Sequence, residues 1–227
     1  MAGGFDGFLR SAARFFMSAI MDEFAGKDLA CIRGERLVFE HLAFRIGPGE
    51  ALALTGPNGS GKSTLLRLMA GLGHPASGEM RWGDTPIAQD PDAHRARVHY
   101  VGHLDALKPA LSVAENLSFY ASLHGARADA ARLDHALAEL GLEMLADLPA
   151  RFLSQGQRRR TALARVLMAP APLWLLDEPT LGLDDASLRR LIGVLTGHIQ
   201  GGGRVVIATH AMLDLPNQRR LGLGSPA

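Results

Sequence analysis

An α/β fold is predicted by three observations. The all-apolar run ALAL at 51–54 leads straight into the loop GPNGSGKST and the helical run LLRLMAGL; a second apolar run, LWLL, ends in Asp177 and Glu178; and short strand-like runs separated by turn residues precede both. Strands buried on both faces read as continuous apolar stretches, and in an open α/β sheet their carboxyl ends line the ligand crevice. The 227 residues, 47% of them hydrophobic, suffice for a sizeable core in one or two closely joined domains. A net charge of +1 implies no attraction on the scale a nucleic-acid binder needs. No apolar run approaches the roughly 18 to 20 residues of a membrane-spanning helix. The single cysteine, Cys31, excludes an intramolecular disulfide and reads as a packing residue.

The chain opens on a stretch unlike the rest, residues 1–27. Phe5, Phe8, Leu9, Phe15, Phe16 and Ile20 fall roughly on one helical face with Arg10 and Arg14 among them, the pattern of an interfacial anchor. Met21 offers a second start, and the reading preferred here is a disordered extension or an early mis-assigned start. Strands are then expected at 29–32 (LACI), 36–39 (RLVF) and 42–46 (LAFRI), punctuated by Gly34, Gly47, Pro48 and Gly49 and forming an antiparallel sheet.

The loop after ALAL has the spacing of a phosphate loop between a strand and a helix. Its residues Gly56, Pro57, Asn58, Gly59, Ser60, Gly61, Lys62, Ser63 and Thr64 are the candidate phosphate cradle. Glycines let backbone N–H groups turn inward, and the helix N-terminus adds partial positive charge. Lys62 can reach the β- and γ-phosphates of a nucleotide, and the Ser63 hydroxyl is placed to ligate Mg²⁺.

Carboxylates at the end of a buried strand are costly unless a cation or a proton-transfer task holds them. Asp177 is therefore assigned to Mg²⁺, through its water shell, and Glu178 to the attacking water. A third apolar strand, VVIA at 205–208, ends in Thr209 and His210, and the histidine is expected at the same sheet edge, near the γ-phosphate.

Between these parts lies LSQGQRRR, 153–160, where Ser154 has the character of a helix N-cap and Ala162, Leu163, Val166 and Leu167 continue on one face. A hydroxyl, a glycine and a helix N-terminus make a second anion-binding device. The helix fills the short stretch to the next strand, so both devices grip one nucleotide most easily when a second molecule, packed head to tail, supplies Ser154 and Gly156. Arg158 to Arg160 read as a solvated helix face. SVAE at 112–115 has the capping-box pattern, and helices follow that break at Gly125 and Gly141.

LSQGQ resembles the signature of ATP-binding cassette proteins, with Gln155 where the second glycine is usual, and it stands in the expected order before LLDEP. LGLD at 181–184 resembles their D-loop, and His210 matches their switch histidine. The resemblance implies an ABC-type P-loop ATPase: a RecA-like core with an antiparallel β subdomain, covering 28–220, and an inserted helical subdomain at about 104–156. It implies ATP and Mg²⁺ as cofactors, and Gln157 and Asp184 as further nucleotide contacts.

Two positions depart from the family pattern. Arg33 stands where an adenine-stacking aromatic is usual, and its planar guanidinium can stack on the base instead. His103 stands where a glutamine usually joins core to helical subdomain, and is assigned a contact to Mg²⁺-bound water. With CIRGER, GEMRWGDTPI and ENLSFYASLHG, these departures are similar to the ATP-binding subunits of bacterial haem exporters of cytochrome c maturation. That implies a peripheral protein on the cytoplasmic face of the inner membrane, with a second copy, integral permease subunits and haem-handling membrane proteins as partners. Direct haem binding has no support in the residues, for there is no Cys-x-x-Cys-His. A cassette subunit for another cargo stays open. A non-transport cassette protein would be expected to carry two cassettes, a long coiled coil or a basic surface, none of which this sequence shows, and a small-molecule kinase would leave LSQGQ unexplained.

Overall fold

The computed structural model describes residues 22–126, 129–210 and 213–224. The amphipathic stretch 1–20 lies outside them, as does most of the expected extension. Residues 24–27 do not: the first strand, β1 (Phe24–Arg33), starts five residues before the predicted LACI, and Phe24 is completely buried.

β1 pairs antiparallel with β2 (Arg36–Ile46), which runs through both RLVF and LAFRI as one strand. Sequence punctuation at His41 is a local irregularity instead of a break. His41 and Asp28 both have φ near +50°, they bond to each other at 2.7 Å, and the ladder shifts register beside Leu29. β4 (Ser77–Trp82) and the short β5 (Thr85–Pro86) complete a four-stranded sheet in the order β2-β1-β4-β5.

The second sheet is parallel. It contains β3 (Ala51–Thr55), β6 (Val98–Val101), β7 (Leu173–Asp177), β8 (Arg204–Ala208) and β9 (Gln218–Gly222), in the order β6-β7-β8-β3-β9. Alternation along β7 and β8 explains their unbroken apolar sequences. Leu173, Leu175, Val206 and Ala208 enter a core shared with the antiparallel sheet and α1 (Lys62–Met69), whereas Trp174, Leu176, Val205 and Ile207 enter a second core on the other face. β9 has the polar sequence QRRLG and was not expected; it is an edge strand, half exposed, whose ladder to β3 is main chain.

The second core is closed by α3 (Val113–Leu123), α4 (Ala130–Leu140), α5 (Gln155–Ala164) and α6 (Asp185–Gln200). The short α2 (Pro91–Ala96) sits before β6. Ser112 and Glu115 form both halves of the capping box, and Gly141 ends α4 at φ 63°. The two ends of the segment carrying α3 and α4 pair with each other: Ser112 bridges Pro149, and the N–H groups of Ala150 and Arg151 donate to Leu111 and Pro109. No helix among the described residues is long and apolar enough to cross a membrane.

Candidate nucleotide site

The carboxyl ends of β3, β7 and β8 lie side by side, and the segments leaving them build one cleft of about 450 Å³. Asn58, Gly59, Gly61, Lys62, Ser63 and Thr64 line it from the loop after β3, joined by Glu178 and His210 from the loops after β7 and β8. Gly61 precedes α1 in the left-handed region and no side chain caps the helix, so the first-turn N–H groups are available to an anion. Gly56 starts the loop at φ 140°, and a Cβ there would lie 2.2 Å from the carbonyl oxygen of Leu223. The chain leaving β9 therefore presses on the loop's first residue, and only glycine fits.

Lys62 is nearly buried, and its Nζ donates to the carbonyls of Gly56 and Pro57 at 2.8 and 3.0 Å. Ser63 donates its hydroxyl proton to Asp177 Oδ1 at 3.0 Å, which joins the loop to the end of β7. The Asp177 side of this pair opens on an adjoining recess lined also by Arg33, Arg67, Tyr100 and His103. A hydroxyl and a carboxylate oxygen set together are hard donors of the kind Mg²⁺ takes alongside phosphate oxygens and water, so these residues fit that ion. Glu178 has φ 47°, and its N–H donates to the Ala208 carbonyl at 2.8 Å. His210 Nε2 donates to Asn58 Oδ1 at 2.9 Å and stands 3.7 Å from Glu178 Oε1. Arg33 lies at the edge of both recesses, and Arg36, which sequence reading passed over, lines the main cleft with it.

The signature residues stand elsewhere. Neither Ser154 nor Gly156 lines the cleft. Ser154 is the exposed N-cap of α5; its hydroxyl accepts from the Gln157 N–H, and Gln157 Oε1 accepts from the Ser154 N–H at 2.8 Å. Gln157 is thus occupied as half of a capping box. Gly156 backs onto the 181–184 loop, where a Cβ would lie 2.7 Å from the Gly182 carbonyl oxygen. Asp184 caps α6 through the Ser187 N–H, and that hydrogen bond holds its carboxyl below the usual range.

The expected solvated face of Arg158 to Arg160 is corrected by the structure. Arg158 donates to the Leu153 carbonyl and Arg160 to the carbonyls of Leu140 and Gly141, closing the end of α4. Arg159 is only 4% exposed and donates to the carbonyls of Asp177, Glu178 and Gly102 and to Asp105. The signal was present: Arg159 precedes Ala162, Leu163 and Val166 by three, four and seven residues, which places it on the buried face.

A phosphate loop, a strand-end carboxylate pair and a histidine converge on one cleft, while a signature segment is displayed away from it. The model of the family described as ABC transporter matches residues 39–181. The chain belongs to the ABC transporter family. A relative in Paramagnetospirillum magneticum, "Cytochrome c biogenesis ATP-binding export protein CcmA", is 54% identical over 202 residues, covering 88% of this chain and 93% of the relative. Among solved structures, the dimeric bacterial ABC transporter cassette MJ0796 superposes with a TM-score of 0.78 at 27% identity, covering 88% of this chain and 94% of that one. The same cassette in a dimeric post-hydrolysis state, bound to ADP and Pi, gives 0.75 at 27% identity, over 83% and 88% of the two chains.

Proposed function

We propose that the chain is the ATP-hydrolysing subunit of a membrane exporter serving cytochrome c biogenesis, working as a head-to-tail dimer with ATP between the two copies. The observation that carries the ATPase reading is the meeting of Lys62, Ser63, Glu178 and His210 around one cleft at a helix N-terminus without a side-chain cap. The loop N–H groups and Lys62 hold the β- and γ-phosphates, the ammonium exchanging its loop carbonyls for phosphate oxygens. Glu178 orients and deprotonates the attacking water, and His210, bridging Asn58 and Glu178, contacts the γ-phosphate. Mg²⁺, when bound, would neutralise phosphate charge; Ser63 and Asp177 are the residues that would hold it, with His103 at the rim of the same recess. Arg33 stacks on the base.

The exposed Ser154 hydroxyl and the start of α5 complete the site of the second copy, which accounts for their position outside this chain's own cleft. Association with the inner membrane comes through integral partner subunits, and the cytochrome c assignment rests on the chain's similarity to cytochrome c biogenesis ATP-binding export proteins. Two measurements test the reading. Lys62→Ala abolishes phosphate release from ATP by the purified chain with its membrane partners, and unchanged turnover contradicts the site. A strain without the chain loses covalent haem attachment in periplasmic c-type cytochromes, the wild-type gene restores it, and normal haem attachment in the deletion strain contradicts the pathway.

A further inference from the structure

Arg159 is a cation buried where the signature helix meets the catalytic strand. A guanidinium removed from water is costly unless its donors find acceptors, so the acceptors it has drawn inward show what it holds. They come from two segments. Nη2 donates to the main-chain carbonyls of Asp177 and Glu178, at 2.5 and 3.0 Å, and Nη1 to the Gly102 carbonyl at 2.9 Å and to Asp105 Oδ1 at 3.3 Å. The first pair are the residues whose side chains face the nucleotide, and the second pair flank His103.

Glu178 needs such a restraint. At φ 47° it occupies the left-handed region, which is unfavourable for a side chain larger than glycine and persists only when its surroundings fix it. Its N–H is fixed by Ala208, and its carbonyl accepts from Arg159 at 3.0 Å and from the Leu181 N–H at 3.3 Å. Without Arg159 the carbonyl keeps only the longer bond to Leu181, a neighbour in the same turn, so the peptide after Glu178 can tilt and the carboxylate swings with it. We propose that Arg159 is a positioning residue: a main-chain clamp that sets the aim of Glu178 and ties it to the middle of α5, so that the helix capped by Ser154 and the carboxylate move together. The proposal rests on the ATPase reading above and adds a residue that touches neither nucleotide nor water.

A clamp acting through Glu178 predicts a specific pattern. With the full chain and its membrane partners, Arg159→Lys keeps the charge and loses the fork. ATP affinity stays within about twofold and KM is unchanged, while kcat falls about 10- to 100-fold, the scale of a misplacement near 1 Å. In a Glu178→Gln background, where the carboxylate has already been removed, the same substitution lowers single-turnover rates by less than about twofold. Arg159→Gln follows the same pattern with a deeper loss of kcat; if it fails to fold, the lysine variant carries the test. A residue that only stabilises the fold would lower the rate equally in both backgrounds. Wild-type kcat in Arg159→Lys, a rise in KM at constant kcat, or an equal loss with and without Glu178 overturns the clamp. Absence of ATP turnover in the wild-type complex overturns the ATPase reading itself, and is a different result.

Discussion

Replacing Gly156 by alanine sets two effects of known sign against each other. Gly156 is the second residue of α5, and alanine is favoured over glycine inside a helix by about 0.5 to 1 kcal/mol. The added Cβ would stand 2.7 Å from the Gly182 carbonyl oxygen, and the neighbour is main chain that cannot swing aside. Reaching an ordinary C···O contact of about 3.3 Å needs a shift of roughly 0.6 Å between α5 and the 181–184 loop. Overpacking of this kind costs about 1 to 3 kcal/mol, so the net loss is about 0 to 2.5 kcal/mol, well inside a domain stability of about 5 to 15 kcal/mol. Gly156→Ala therefore folds, and binds ATP as a single chain with unchanged affinity, because neither moved segment lines the cleft. Turnover falls about 10- to 100-fold, since the two loops facing the second copy no longer keep register. Urea unfolding, nucleotide titration and phosphate release measured on one preparation read the three quantities. Wild-type turnover in the folded variant, or a loss of ATP affinity without a second copy, refutes the reasoning.

Glu178→Gln keeps the shape and removes the proton acceptor, so turnover falls about 10²- to 10⁴-fold with ATP still bound and an ATP-loaded dimer accumulates; sedimentation in Mg·ATP that shows only monomer contradicts this. Arg33→Ala removes a stacking contact of about 0.5 to 2 kcal/mol, so the Kd for ATP, measured by titration, rises about 2- to 30-fold with kcat preserved; a fall in kcat at unchanged Kd contradicts base stacking. Burial lowers the pKa of His94 and His198 to about 4 and of His99 to about 3. Between those values and the unfolded value of about 6.5, the unfolded chain binds protons that the fold refuses. Their contribution to stability is thus complete above about pH 6.5 and is lost as pH falls towards 4, so the urea midpoint drops from pH 7.5 to pH 5. His94→Gln, which can still accept from Trp82 and donate to Met69, makes that drop shallower; an identical pH dependence refutes the assignment.

What was legible in the sequence was what adjacent residues encode. The loop from Gly56 to Thr64 carries its own strand, turn and helix start, and LWLLDE carries a buried strand and its polar end. Contacts between distant segments left weaker traces. The approach of Leu223 to Gly56 and of Gly182 to Gly156 joins segments that no local pattern connects. β9 is held by main-chain pairing, so its QRRLG composition carries no strand signal. RLVF and LAFRI read as two runs because the polar pair Glu40–His41 interrupts them, and nothing local shows that His41 takes a positive φ without ending the strand. Arg159 was hidden by its neighbours: three consecutive arginines read as surface, although helical spacing singles one out. Gln157 and Asp184, attributed to the nucleotide by resemblance, also hold helix ends within their own chain, a role set by local geometry that the family motif does not spell out.

The central claim is that one catalytic site is built from two copies of this chain, and mixing two inactive variants tests it most directly. Lys62→Ala disables the phosphate loop. Ser154→Asp retains the N-cap of α5, because aspartate caps as well as serine, and sets a negative charge against the γ-phosphate of the opposite copy. Each variant alone forms dimers in which both sites are defective. In a mixed dimer one site carries both defects and the other carries neither. The account predicts that ATP hydrolysis, absent from either preparation, returns on mixing and is greatest near equal amounts of the two. Mixtures that stay inactive although mixed dimers have formed, or a Ser154→Asp chain that fails to bind ATP on its own, contradict a shared site.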